Sequence, residues 1–104
     1  MPYTRGFADR LLLEEHFADK GESLGVSTKE DYLRLADEFL GSAPKVTTIE
    51  CTDRKGDKIR GDLATEEFGV LSRSGFIRTY YKANIRNRRK YPTLREYVME
   101  KCRR

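Results

Sequence analysis

The chain has 104 residues, 37% of them charged and 38% hydrophobic, with a net charge of +4. That length supports one modest core and a single domain, and six tyrosines with five phenylalanines argue for a folded globule over a disordered segment. No apolar run is long enough to cross a bilayer, so no membrane role is expected.

The start, MPYTRGFADR, lacks the apolar stretch of a secretory signal. The expected setting is the cytoplasm, or a longer protein whose targeting lies elsewhere. Phe7 to about Lys20 reads as a helix. Leu13 and Phe17 lie four apart, and Leu12, His16 and Lys20 form a neighbouring row. Glu14, Glu15 and Asp19 take the outer side, and Gly21 closes the helix. Ser27-Thr28-Lys29-Glu30 reads as a capping box with Ser27 as the cap. The helix it opens carries Tyr32, Leu35, Ala36, Phe39 and Leu40 at helical spacing and ends at Gly41.

Ser42-Ala43-Pro44 breaks the helical period, and the pattern changes to strands. Val46–Thr52 and Lys58–Leu63 flank a turn over Asp53–Asp57. Glu67–Ser72 and Phe76–Lys82 then form a hairpin through Arg73-Ser74-Gly75, with the glycine at positive φ. Strict alternation in the last strand puts Ile77, Thr79 and Tyr81 on one side and Phe76, Arg78, Tyr80 and Lys82 on the other. Thr93-Leu94-Arg95-Glu96 caps a short final helix whose apolar side is Leu94, Tyr97 and Val98. The expected fold is α+β: two N-terminal helices packed on a four-stranded antiparallel sheet, plus a short C-terminal basic helix. The core would span 7–82, with a basic segment over 83–104.

Cys51 and Cys102 sit at no metal-ligand spacing. A disulfide between them requires an oxidising compartment, and two reduced, partly buried thiols are the expectation. From Lys82 onward there are nine Lys or Arg against two Glu, while the rest of the chain is slightly acidic. A basic segment on an acidic body points to a polyanion such as nucleic acid. A solvated tail, or a contact for an acidic protein, accounts for the charge equally well.

No P-loop, dinucleotide fingerprint or serine-nucleophile elbow is present, and no metal or cofactor site is expected. What remains is one imidazole with several cations and hydroxyls. That set is sufficient for RNA cleavage without metal, because the substrate's own 2′-OH attacks the phosphorus. The enzyme then supplies a base, an acid and cations or donors around the phosphorane. His16 can take either proton role. Lys20, Arg60, Arg78 and Lys82 can offset phosphate charge, and Thr65, Thr79 and Tyr81 can donate to its oxygens. Arg86, Arg88 and Arg89 belong to the basic segment that would hold the RNA backbone.

The order of the motifs carries a resemblance. Leu13 to Phe17 reads Leu-x-x-His-Phe, followed by a Gly-rich break and a helix start with Ser27, Glu30 and Tyr32. The strands read Gly-Asp-x-x-Thr-x-x-Phe-Gly-Val from Gly61 and Gly-x-Ile-Arg-Thr-Tyr-Tyr-Lys from Gly75. Over residues 11–82 this resembles the barnase–EndoU–colicin–RelE-type (BECR) ribonuclease toxin domains. Those are the C-terminal effector modules of contact-dependent and polymorphic bacterial toxins and related phage proteins. The resemblance implies an α+β fold, metal-free RNA cleavage with tRNA among the substrates, and a cognate immunity protein. It also implies a domain delivered from a larger secreted toxin or phage protein. By position, His16 is similar to the helix histidine, Thr79 and Tyr81 to hydroxyl positions of the last strand, and Thr65 to the threonine of the connecting turn. Many relatives have a second histidine where Lys20 stands, an aromatic at Gly61, asparagine at Glu66 and proline at Ala83. The rival expectation is a non-catalytic RNA- or protein-binding module on the same scaffold. A DNA-binding regulator ranks behind both, because the final helix is short and apolar on one side.

Overall fold

A computed structural model of the protein describes residues 3–85 and 93–103. Helix α1 spans Arg10–Lys20 and begins at Asp9, whose carboxylate accepts from the Leu12 amide at 2.8 Å. Phe7 therefore lies outside the helix and bridges in parallel to Ile77. A single 3₁₀ turn, Glu22–Leu24, leads to α2, Lys29–Gly41. Its cap is Thr28, one place after the expected Ser27, bonded to the Asp31 amide at 3.1 Å.

Four strands follow as a meander: β1 Thr48–Thr52, β2 Lys58–Asp62, β3 Glu67–Leu71 and β4 Ile77–Lys82. They pair antiparallel in the order β1-β2-β3-β4, and Gly75 of the last hairpin has φ +95°. Thr93 caps α3, Leu94–Cys102. The α+β class is the expected one. Two cations and two carboxylates balance within α3, so the basic excess of 83–104 lies outside the helix.

Neighbours along a strand point to opposite faces, and this sorts the helices. Phe7, Tyr32, Ala36, Leu40, Ile77 and Tyr80 form one core with α2. Ile59, Phe68, Ala83, Leu94, Tyr97 and Val98 form a second with α3. The sheet thus lies between α2 and α3. Two glycines set how closely each helix approaches. A Cβ on Gly69 would come within 3.0 Å of Leu40 Cδ2, and one on Gly61 within 2.5 Å of Val98 Cγ2.

Arg60 belongs to this scaffold, which corrects its expected role as a phosphate contact. It is only 3% exposed. Its Nη1 donates to the Phe39 and Ser42 carbonyls at 2.8 and 2.9 Å, and its Nη2 reaches Glu50 at 3.1 Å. The guanidinium satisfies carbonyls that the end of α2 leaves open, at the negative pole of the helix.

Cys51 of β1 and Cys102 of α3 form a disulfide with Cα atoms 6.2 Å apart, in place of the expected free thiols. It closes 51 residues of chain and fixes α3 to the sheet. A loop of that size is worth about 2–5 kcal/mol. At roughly 4–8 °C per kcal/mol for a domain of this size, the Cys51→Ser, Cys102→Ser double variant should melt at least about 10 °C below the parent. Calorimetry with and without reductant checks this, and equal Tm values would show that the bridge contributes nothing.

Candidate active site at the β4 edge

The partner register shows why Thr79 and Tyr81 share a face and Ile77 does not. Leu71 pairs with Ile77 and Val70 with Thr79, so Arg78 is an extra residue in β4. This bulge shifts the alternation. Ile77 and Tyr80 both enter the core under α2, while Thr79 and Tyr81 turn to the other face, opposite Val70 and Phe68. The expected Ile77–Thr79–Tyr81 wall is thus reduced to its last two members.

Helix α1 wraps around this edge strand. Leu12, Leu13 and Phe17 pack against the core under α2, and His16 and Lys20 meet β4. His16 Nδ1 stands 3.5 Å from Thr79 Oγ1, and Lys20 Nζ stands 4.6 Å from the centre of the Tyr81 ring. The spacings match: four residues of helix rise about 6 Å, and two residues of strand about 6.8 Å. An i, i+4 pair on α1 can therefore face an i, i+2 pair on β4.

The imidazole is half-buried between Thr79 and Phe7, whose ring centre lies 5.4 Å from its own. Phe7 is fixed in turn by the Ile77 bridge and by stacking on Tyr32 at 6.0 Å. Burial pushes the His16 pKa below 6.5, and the Lys20 ammonium pushes it further the same way, with Asp19 and Glu15 opposing. His16 is accordingly a neutral imidazole at pH 7, suited to accept a proton.

On the other side of Lys20, the Tyr81 hydroxyl is hydrogen-bonded to the Tyr97 hydroxyl, and Lys101 Nζ lies 5.2 Å from the Tyr97 ring centre. Two phenols and two ammonium groups thus continue the line from His16. Tyr97 reads in the sequence as an apolar residue of the last helix. Its role appears only once α3 is seen on the Tyr81 side of the sheet. Phe7 was equally hidden, since its spacing fits the first turn of α1.

The remaining expected residues are spread more widely. Thr65 is exposed in the β2–β3 turn and donates to Glu67 Oε1 at 2.7 Å. That turn lies level with Lys82, three strand residues or about 10 Å from Thr79. Thr65 is therefore not brought to His16. Glu66 sits at φ +61° and its carboxylate accepts from the Ile85 amide at 2.9 Å, so it is occupied in holding the chain after β4. Lys82 is exposed at the end of β4 opposite Glu67. Arg78 is 57% exposed and its Nε reaches Asp57 Oδ2 at 3.1 Å. Arg86, Arg88 and Arg89 lie outside the described residues. Among the described residues no three His, Cys, Asp or Glu side chains are grouped as metal ligands.

His16 is the one histidine in the sequence, so its ring gives a single resonance to follow by NMR. Its titration midpoint should fall below 6.5. Lys20→Gln removes a positive neighbour, which makes protonation easier, so the midpoint should move up. A midpoint that stays put or moves down would separate Lys20 from the imidazole.

Comparison with known proteins finds no family model that matches the chain and no matching curated protein.

Proposed function

We propose that the protein is a metal-independent endoribonuclease of the toxin type, cleaving RNA by transesterification through the substrate's 2′-OH. The observation that carries this reading is the pairing of a neutral, half-buried His16 with the Thr79 hydroxyl, flanked by Lys20. A base of lowered pKa, a hydroxyl donor and a cation are what a phosphodiester needs when it contains its own nucleophile.

In this reading His16 takes the proton from the 2′-oxygen, which attacks phosphorus as the bond to the 5′-oxygen breaks. The proton lost from the 2′-OH ends on the 5′-oxygen, leaving a 2′,3′-cyclic phosphate and a free 5′-OH. Thr79 donates to a non-bridging oxygen. The Tyr81–Tyr97 hydroxyl pair lies next along the same edge, beyond Lys20. Lys20 offsets the charge that builds on the phosphorane. Single-stranded segments such as tRNA loops are the substrate class that fits an edge site, and a cognate immunity protein would be the partner in a toxin system.

The test is incubation with total RNA in EDTA. Discrete fragments ending in cyclic phosphate are expected, with kcat/KM rising with pH through a midpoint below 6.5 as His16 loses its proton. His16→Ala should lower the rate by about 10²–10⁴-fold, the usual contribution of a positioned base. Undiminished cleavage by that variant would remove His16 from the chemistry. Binding without cleavage by the parent would turn the reading to a non-catalytic RNA-binding module.

A further inference from the structure

At the end of the sheet next to Thr79, the β1–β2 turn and the β3–β4 turn meet around a cavity of about 460 Å³. Its lining is Lys55, Asp57, Ser72, Arg73, Ser74 and Arg78. Asp57 holds the two turns together. It is 6% exposed, accepts from the Arg73 amide at 3.3 Å, and is ion-paired with Arg78, whose Nε lies 3.1 Å from Oδ2. The first turn is itself fixed by Asp53, whose Oδ1 accepts from the Lys55 and Asp57 amides at 2.9 and 3.0 Å. Gly56 lets the Arg73 stem lie directly against that turn, 3.0 Å from where a Cβ would be.

Three cations and one buried carboxylate therefore line the cavity, which leaves the lining a positive excess. Arg78 is ion-paired to Asp57 and its side chain is 57% exposed, so the guanidinium stays accessible from solvent. Ser72 and Ser74 add hydroxyls 3.1 Å from each other. A fork of guanidinium donors beside hydroxyls is the chemistry that holds a phosphate group. Arg78 is also the bulged residue, adjacent in β4 to Thr79 and so about one strand step of 3.4 Å from it.

We infer that this cavity is a second phosphate subsite, which holds a backbone phosphate of single-stranded RNA whose neighbouring phosphodiester lies at His16 and Thr79. It rests on the proposed function and adds the direction of the strand. The RNA runs along the β4 edge from the Lys20–Tyr81 end, past His16, to the paired turns.

The test uses the full chain and a short single-stranded RNA with every 2′-oxygen methylated, which binds but cannot be cleaved. Each phosphate contact on a single strand contributes about −0.7 to the slope of log K against log salt. Lys55→Ala with Arg73→Ala should weaken binding about tenfold at low salt and flatten that slope by roughly 0.7. Arg73→Lys keeps the charge and should keep the slope, and Arg34→Ala, on α2, should leave both quantities at the parent value. Circular dichroism verifies that each variant is folded. Parental affinity and slope in the double variant would overturn the subsite, as would weaker binding at an unchanged slope, or no binding by the parent. Because no cleavage is read, loss of the ribonuclease reading alone would leave this result standing.

Discussion

One extra residue in β4 decides which of its side chains enter the core and which face α1. Without the bulge at Arg78, Ile77 and Thr79 would share a face, and either the core under α2 would lose Ile77 or it would gain a hydroxyl. With it, two large apolar side chains three apart, Ile77 and Tyr80, are buried together. Thr79 and Tyr81 are released toward α1, and Arg78 is turned to Asp57. Bulges bend and twist a strand locally and recur where a sheet must re-aim a side chain. Here the same insertion supplies the strand side of the proposed site and the guanidinium of the neighbouring cavity.

Around that strand the fold is rigid in ways that serve the imidazole. Phe7 is held by the edge of β4 and by Tyr32, and so presents a fixed ring to His16. Tyr32 and Tyr80 are fully buried, and burial raises both phenol pKa values far above the ordinary range, so neither hydroxyl ionises under the site. The Tyr80 hydroxyl is instead donated to Glu67. The carboxylates of β3 and its turn are thereby occupied by the scaffold, and the charges acting on His16 are those of α1: Lys20, with Asp19 and Glu15 opposing it.

Much of this was legible in the sequence, and the failures have a common physical cause. Element types follow from local periodicity, capping residues and Gly75, all of which are properties of neighbouring residues. The His16–Thr79 approach lies 63 residues apart and came from the order of motifs, not from any spacing. Arg60 could not be read correctly, because a cation in a polar strand looks the same whether it meets solvent or the carbonyls of a helix end. Tyr97, the Cys51–Cys102 bridge and the occupation of Glu66 all depend on where α3 and the chain before it return to the sheet. Strict alternation misplaced Ile77, although its distance of three from Tyr80 was the visible sign of a bulge.

The strand order gives the sheet a direction of growth. At β4 the outer edge is occupied: the Arg5 and Ile77 amides exchange bonds with the Gly75 and Gly6 carbonyls, and α1 stands beside the rest. At β1 no further strand is paired among the described residues. An added strand, whether an extended peptide or a second copy of the chain, can therefore join this sheet only through β1. That edge is short, at five residues, and is preceded by Pro44 and Lys45, both features that discourage such pairing. The protein thus keeps its β4 edge closed to backbone pairing and its β1 edge unattractive to it.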